Sequence, residues 1–240
     1  MNVNNVRSQI IDGVEINTHF DKGPFFIDGV DTICSLFLQR CKQLQKKVVH
    51  REKELGIWKS YTWNDFYHNV RLISLGLNKL GFTRGDKASI LAEDCKEWIY
   101  ADFAVQCLGG VSTGVYTTDS SEQLLYQLTD SDSTFLFLDT DEQLDKYLTI
   151  AADCPKIKKA IVFERKDLFD FKHEKVIFLD EIYKIGEQAL KKKPDLFETE
   201  ISKNKASDVA IMVYTSGTTG HPKGVMLTNE NLIYAISVGK

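Results

Sequence analysis

Residues 209–227 read VAIMVYTSGTTGHPKGVML, and the other segments of this 240-residue chain are easier to interpret once this one is understood. The first six residues, 209–214, form an apolar run that is too short for a typical helix and rich in β-forming residues. Such a run is typical of a strand buried on both faces of a sheet. Hydroxyl and glycine residues follow at once, and then Pro222, Lys223 and Gly224. We therefore predict a buried strand that leads directly into a polar, glycine-rich loop.

The loop has a composition suited to binding polyphosphate. Glycines let the backbone approach an anion and present N–H groups to it, hydroxyls add donors, and Lys223 adds a compact positive charge. The spacing is not that of a Walker A motif, because counting from Gly217 reaches Pro222 and counting from Gly220 reaches Val225. From these residues alone, a plain Gly/Thr connection between two elements remains the alternative interpretation.

Other catalytic motifs do not fit the sequence. A GxSxG nucleophile elbow around Ser216 would need a glycine where Tyr214 stands, and no GxGxxG motif occurs. The histidines show no HxxxH or HExxH spacing and the five cysteines form no CxxC pair, so we expect no metal site made of His and Cys. We expect the cysteines to be reduced thiols that mostly fill the core. The cluster at 117–121, TTDSS, fits either a helix cap with a turn or a second anion site.

Composition and charge are those of a soluble globular protein. The formal net charge is −4, and 27% of the residues are charged, so no basic excess points to nucleic acid. No run approaches about 18 uninterrupted apolar residues, the length expected of a membrane-spanning helix. The first residues, MNVNNVRSQIIDGVEIN, lack the charged start and apolar centre of a secretory signal. We therefore expect a cytoplasmic protein that binds no nucleic acid.

The order of predicted elements indicates an α/β fold. Residues 1–30 are polar with several glycine breakers, and we predict an irregular leader there. A hairpin is predicted at 48–61, and residues 194–207 are predicted to be a charged linker. Helices are predicted to start at Thr62 and Ser120, each with a capping partner three residues later. Strands are predicted at 87–92, 111–116, 134–138 and 159–163, and residues 176–179 form a further short apolar run. Helical spacing between the strands predicts layered βαβ units, with largely parallel sheets flanked by helices.

The motif at 214–224, Tyr-Thr-Ser-Gly-Thr-Thr-Gly-x-Pro-Lys-Gly, resembles the AMP-binding signature of the adenylate-forming enzymes. That superfamily includes acyl-CoA synthetases, luciferases and amino-acid adenylation domains. The resemblance to acyl-CoA synthetases extends from about residue 32 to the C-terminus. It includes the order of an amphipathic helix, Leu-Gly-Phe-x-x-Gly-Asp, a buried strand and a Glu-Trp helix. The segment Gly-Val-Tyr-Thr-Thr-Asp-Ser at 114–120 is most similar to the long-chain fatty-acid branch.

The resemblance implies an ATP-dependent fatty acyl-CoA synthetase, a ligase that uses ATP, Mg²⁺ and coenzyme A. Its reaction activates a carboxylic acid as an acyl-adenylate and then transfers the acyl group to the thiol of coenzyme A. The residues implied to hold the ATP phosphates are Thr215, Ser216, Gly217, Thr218, Thr219, Gly220 and Lys223. Thr215 is also implied to help to hold Mg²⁺. No residue of the chain is assigned a catalytic role, and peripheral association with a membrane is an option that the long-chain branch leaves open.

The sequence departs from the family pattern at one position and in its length past the signature. Asn229 stands where the family usually has a histidine after Leu-Thr, in a neighbourhood that lies near the acyl pocket of several relatives. Family members continue for hundreds of residues past the signature, with an adenine- and ribose-binding segment, a Mg²⁺-ligating glutamate, a hinge and a small C-terminal domain with a catalytic lysine. We expect residues 31–240 to be the N-terminal portion of the AMP-binding (adenylate-forming) domain, with the C-terminal domain absent.

Such a fragment is expected to be inactive alone and to associate with itself through exposed apolar surface. Two alternatives remain open. The acid could be an aryl or amino acid, because the loop contacts only phosphates. The chain could also be a non-catalytic module that binds a nucleotide or a partner.

Overall fold

The computed structural model describes residues 6–11, 14–19, 25–166, 168–215 and 221–238. The strands are β1 (Val6–Ile11), β2 (Val14–His19), β3 (Val48–Glu54), β4 (Ile57–Thr62), β5 (Lys87–Leu91), β6 (Val111–Val115), β7 (Ser133–Leu138), β8 (Lys159–Val162), β9 (Val176–Phe178), β10 (Val209–Thr215) and β11 (Lys223–Thr228). The α-helices are α1 (Ile33–Leu44), α2 (Trp63–Lys79), α3 (Lys96–Cys107), α4 (Ser121–Asp130), α5 (Asp141–Ile150), α6 (Leu179–Lys192), α7 (Leu196–Ile201) and α8 (Asn229–Val238).

A seven-stranded sheet organises these elements in the order β11-β10-β6-β5-β7-β8-β9. All neighbours pair in parallel except β10 and β11, which are antiparallel. The predicted α/β class, with a largely parallel sheet flanked by helices, is therefore confirmed. Strands β3 and β4 form a separate antiparallel hairpin, as the sequence predicted for 48–61.

Two hydrophobic cores lie on the two faces of the sheet. Along β7, Phe135 and Phe137 belong to the core under α1, α2, α3 and α6, whereas Leu136 and Leu138 belong to the core under α4 and α5. Successive side chains of a strand point to opposite faces, so a strand that is covered on both faces needs apolar residues at nearly every position. This is why β5, β7 and β8 show as short apolar runs in the sequence.

Side-chain caps fix where helices α2 and α4 begin. The Thr62 hydroxyl accepts from the Asp65 N–H, and the Asp65 carboxylate accepts from the Thr62 N–H at 2.8 Å. Ser120 and Gln123 form the same reciprocal pair at the start of α4. Both capping boxes were predicted from the sequence, and each satisfies backbone N–H groups that the first turn of a helix leaves unpaired.

Helices α2 and α6 approach each other unusually closely, through a glycine in each. A Cβ placed on Gly186 of α6 would lie 2.1 Å from the Leu72 carbonyl oxygen. A Cβ placed on Gly76 of α2 would lie 2.7 Å from the Ile182 carbonyl oxygen. Because backbone atoms cannot move aside as a flexible side chain can, only glycine fits at these two positions.

The sequence predictions were wrong in three segments. The leader at 1–30 was predicted to be irregular, yet it contains the antiparallel pair β1 and β2; the Asp12-Gly13 dipeptide between them is a sequence signal typical of hairpins. The stretch 194–207 was predicted to be a linker, yet it contains α7, whose Phe197 and Ile201 are buried. Two apolar side chains four positions apart are enough to dock one short helical turn on the core.

The third error concerns β10, which was predicted to be buried on both faces. Ala210 and Met212 are buried, but Val213 is 43% exposed. One face of β10 is therefore open, and its outer neighbour is β11, a strand that the sequence analysis did not predict.

No helix among the described residues is long and apolar enough to cross a membrane.

The glycine packing between α2 and α6 generates a test of the fold. In an exposed helix interior, Gly→Ala is stabilising by about 1 kcal/mol through helix propensity. We expect Gly186→Ala instead to lower the free energy of unfolding by about 1–3 kcal/mol, because the added methyl group would overlap the Leu72 carbonyl. Urea unfolding of this variant and of the exposed control Glu187→Ala measures the difference. A stabilised Gly186→Ala variant would refute the close packing.

Candidate functional site

The two ends of the glycine-rich segment lie next to each other at the outer side of the sheet. Thr215 is the last residue of β10 and pairs with Lys223, the first residue of β11. Both residues are exposed, and none of the salt bridges among the described residues involves Lys223. Of the predicted phosphate-binding residues, the structure therefore brings Thr215 and Lys223 together. Ser216, Gly217, Thr218, Thr219 and Gly220 lie outside the described residues.

Helix α4 contacts the chain on both sides of this segment. The Tyr214 hydroxyl donates to Asp130 Oδ2 at 2.7 Å, and the Tyr126 hydroxyl donates to the Pro222 carbonyl oxygen at 2.8 Å. The ring of Tyr126 also stacks on His221, with centroids 4.8 Å apart and an interplanar angle of 24°. Burial, and then the hydrogen bond to Asp130, raises the pKa of Tyr214, so its hydroxyl remains a donor.

A cleft of about 520 Å³ opens beside these contacts, at the carboxyl ends of two parallel strands. Its wall includes Glu93 beyond β5, Tyr116 beyond β6, Trp98 from α3 and the open face of β10. Ligands of open α/β sheets bind in crevices outside the carboxyl ends of the strands. A second hollow of about 400 Å³ lies between α4 and the pair Tyr214 and His221. Tyr214, the neighbour of Thr215, therefore lines a cleft at the edge of the sheet where the fold favours binding.

Asp102 contributes a carboxylate to the wall of the larger cleft. Its Oδ1 accepts from the Gln106 side-chain amide at 2.8 Å and also from the Ser112 hydroxyl. Burial raises the pKa of Asp102, and these two hydrogen bonds oppose the rise. The neutral form of this carboxyl is therefore favoured more than that of an ordinary surface aspartate.

Three side chains of the cluster at 117–121 make contacts within the fold. Ser120 caps α4, the Asp119 carboxylate accepts from the Gln127 amide at 2.6 Å, and the Thr117 hydroxyl donates to Glu93. These contacts favour the cap with a turn, the simpler of the two sequence interpretations.

Asn229 is buried and connects three segments. Its Oδ1 accepts from the Ile33 N–H at 3.1 Å, and its amide donates to the carbonyl oxygens of Lys205 and Asp208, each at 3.3 Å. These contacts fix the start of α1 and the entry to β10. Asn229 therefore acts as a structural residue in the described part of the chain.

The described residues fit a phosphate group better than they fit a complete metal site. Lys223 supplies a positive charge and Thr215 a hydroxyl, across one rung of the β10–β11 pair. The described residues contain no group of three or more His, Cys, Asp or Glu side chains that could hold a metal ion. Mg²⁺ usually binds through one or two carboxylates together with substrate phosphates. A magnesium ion at Thr215 would therefore depend on phosphate oxygens and water for its other ligands.

Sequence reasoning missed the residues on α4. Tyr126 lies in the run Leu124-Leu125-Tyr126, where an aromatic residue looks like part of the apolar face of the helix. Asp130 looks like an ordinary helix-terminal carboxylate. The sequence carries no spacing signal for either contact, because their partners lie 84 to 96 positions away along the chain.

Comparisons with known proteins agree with this geometry. A family model described as AMP-binding enzyme matches residues 37–239. The chain is 30% identical over 216 residues to the long-chain-fatty-acid–CoA ligase ACSBG1 of Mus musculus, covering 90% of the chain and 29% of that protein. It is 27% identical over 213 residues to the long-chain-fatty-acid–CoA ligase FadD15 of Mycobacterium bovis, covering 89% of the chain and 34% of that protein. The chain thus spans about a third of the length of these relatives, or less.

Two solved structures share the fold. The luciferase-like enzyme of the mealworm Zophobas morio superimposes with a TM-score of 0.72 at 20% identity, over 91% of this chain and 48% of that one. A fatty acyl-adenylate ligase from L. pneumophila, in complex with acyl adenylate and pyrophosphate, superimposes with a TM-score of 0.63 at 17% identity. That match covers 89% of this chain and 33% of the ligase.

The environment of Asp102 generates a prediction about pH. Because its pKa is raised in the folded chain, the folded state holds the proton more tightly than the unfolded state, whose aspartate pKa is about 3.9. The wild type should therefore lose stability as pH rises from about 3.9 through the folded pKa. An asparagine at 102 keeps an acceptor oxygen and cannot ionise, so Asp102→Asn should gain stability relative to the wild type as pH rises through this window.

Urea unfolding between pH 4 and pH 8 measures this difference, with the exposed Asp170→Asn as a control. A stability difference between Asp102→Asn and wild type that stays constant with pH would show that burial does not penalise the carboxylate.

Proposed function

We propose that this chain, which belongs to the AMP-binding enzyme family, forms the phosphate-binding portion of an ATP-dependent fatty acyl-CoA synthetase. The observation that carries the proposal is the pairing of Thr215 with Lys223 beside the cleft at the carboxyl ends of β5 and β6. The reaction class is acid–thiol ligation, in which a carboxylic acid is joined first to AMP and then to the thiol of coenzyme A.

The chemistry gives Lys223 a definite task. A carboxylate is a poor electrophile, and attack of its oxygen on the α-phosphorus of ATP turns it into an acyl-adenylate while pyrophosphate leaves. Negative charge grows on the leaving pyrophosphate, and a fixed cation near its oxygens lowers the energy of the transition state. Lys223 would supply that cation and Thr215 a hydroxyl donor. A bound Mg²⁺ would neutralise further phosphate charge.

The proposal for a fatty acid as substrate is supported by the relatives. Two of them are named as long-chain-fatty-acid–CoA ligases, and the L. pneumophila ligase is described in complex with an acyl adenylate and pyrophosphate. The part of the site described in this chain is proposed to bind phosphate rather than the acid, so an aryl or amino acid remains the alternative substrate class. A panel of carboxylic acids assayed with a longer form of the protein separates these alternatives.

We propose in addition that residues 31–240 act as the N-terminal portion of a longer AMP-binding domain, in a cytoplasmic protein that can associate peripherally with a membrane. The coverage of only 29% to 34% of the ligases supports a longer domain. On β10 and the edge strand β11, Val213, Val225 and Met226 are exposed by 43%, 44% and 60%, which supports self-association of the chain. A strictly monomeric chain in sedimentation equilibrium would oppose self-association.

The coding sequence past Lys240 distinguishes the proposed enzyme from the alternative of a non-catalytic module. If the coding sequence continues in frame past Lys240, the longer enzyme is favoured, whereas a stop codon there favours a module that binds a nucleotide or a partner.

An assay of pyrophosphate release tests whether residues 1–240 can form an acyl-adenylate without the rest of the proposed enzyme. Residues 1–240 with ATP, Mg²⁺ and a long-chain fatty acid should release no pyrophosphate above the rate without enzyme. A form extended past Lys240 should release it in the presence of the acid. Robust release by residues 1–240 would contradict the proposal that this portion is inactive alone.

Lys223→Ala tests the phosphate site itself. Loss of one charged hydrogen bond costs about 1.5–3 kcal/mol, so the dissociation constant for pyrophosphate, measured by isothermal titration on residues 1–240, should rise by about 10- to 100-fold. Lys191→Ala removes an exposed lysine at the far end of α6 and should leave the dissociation constant unchanged. Equal pyrophosphate affinities of Lys223→Ala and wild type would show that Lys223 does not contribute to the phosphate site.

A further inference from the structure

Tyr126 contacts the chain immediately before Lys223 through two separate parts of its side chain. The hydroxyl donates to the Pro222 carbonyl oxygen at 2.8 Å, and the ring stacks on His221. The edge of the same ring faces Tyr214, with centroids 6.4 Å apart and an interplanar angle of 76°. One side chain of α4 thus touches residues on both sides of the glycine-rich segment.

A second contact from α4 lies one turn further along the helix. Asp130 accepts from the Tyr214 hydroxyl at 2.7 Å, four positions beyond Tyr126. Residues four apart lie on the same face of a helix. This face of α4 therefore holds the end of β10 at one point and the entry to β11 at another.

These contacts bear directly on the lysine. Lys223 follows Pro222 without an intervening residue, and its backbone pairs with Thr215. A lysine side chain carries its ammonium group on a flexible four-carbon stem and has a large rotamer entropy. The positions that the ammonium group can occupy therefore depend on where the backbone is fixed. The carbonyl that Tyr126 holds is part of the peptide group that joins Pro222 to Lys223.

We propose that Tyr126 is a positioning residue that orients Lys223 toward the phosphates of the nucleotide, by holding the Pro222 carbonyl and the His221 ring. This inference rests on the proposed function, because it gives Tyr126 a role only if Lys223 binds phosphate. In this role Tyr126 acts through Lys223 and not through contact with the acid or the phosphate.

A double-mutant cycle on residues 1–240 tests the inference, with inorganic pyrophosphate as the probe. Tyr126→Phe removes one neutral hydrogen bond, so the dissociation constant should rise by about 2- to 10-fold. Tyr126→Ala also removes the stacked ring and should cost more. In a Lys223→Ala background, Tyr126→Phe should have no further effect, because the residue through which it acts is gone.

Tyr67→Phe is the matched control. It also removes a tyrosine hydroxyl that donates to a distant side chain, Glu198 on α7, and should leave pyrophosphate affinity unchanged. An additive cycle, in which Tyr126→Phe weakens binding equally with and without Lys223, would overturn the inference, since a general loss of stability would act in both backgrounds.

Hydrogen exchange of the β11 amides supplies a readout that does not depend on any ligand. Tyr126→Ala should speed exchange at 223–226 relative to the wild type, and Tyr67→Phe should not. Unchanged exchange in Tyr126→Ala would overturn the positioning role of Tyr126 without contradicting the phosphate site of the proposed function. If exchange speeds up while the wild type fails to bind pyrophosphate, the phosphate site of the proposed function fails, and the role of Tyr126 in phosphate binding fails with it.

Discussion

Parallel pairing of β5 with both β6 and β7 is the constraint on which the architecture depends. The register sets Leu91 beside Val115 on one side and Leu138 on the other. Parallel strands need a crossover between them, and α3 and α4 supply the crossovers among these three strands, while helices cover both faces of the sheet. The carboxyl ends of the three strands consequently lie at one edge. The larger cleft opens at the ends of β5 and β6, and β10 joins that side of the sheet by pairing with β6.

Local sequence signals predicted most elements of this fold for identifiable physical reasons. The two partners of each capping pair, Thr62 with Asp65 and Ser120 with Gln123, lie only three residues apart, so the sequence alone identifies both. Strands covered on both faces appear as apolar runs. Helix α7 was missed because its two buried residues lie in a highly charged stretch. The open face of β10 was missed because the burial of a strand face depends on which elements cover the sheet there, and those elements can be far apart in sequence.

The site was predictable only in part, for the same reason. The motif at 214–224 carries its chemistry in consecutive residues, so glycines, hydroxyls and one lysine suggested a phosphate site without any structure. The pairing of Thr215 with Lys223 and the contacts from Tyr126 and Asp130 depend on tertiary structure. The contacts of Asn229 likewise depend on tertiary structure, because its buried side chain is bonded to the backbone at the start of α1 and before β10.

The central claim is that the β10–β11 pair binds the phosphates of a nucleotide. Its most direct test is a titration of isotopically labelled residues 1–240 with pyrophosphate, followed through the backbone amide resonances. The account predicts saturable shifts at Thr215 and Lys223 and little change at the capped start of α4. Shifts that cluster around 117–121, with none at Thr215 or Lys223, would contradict it.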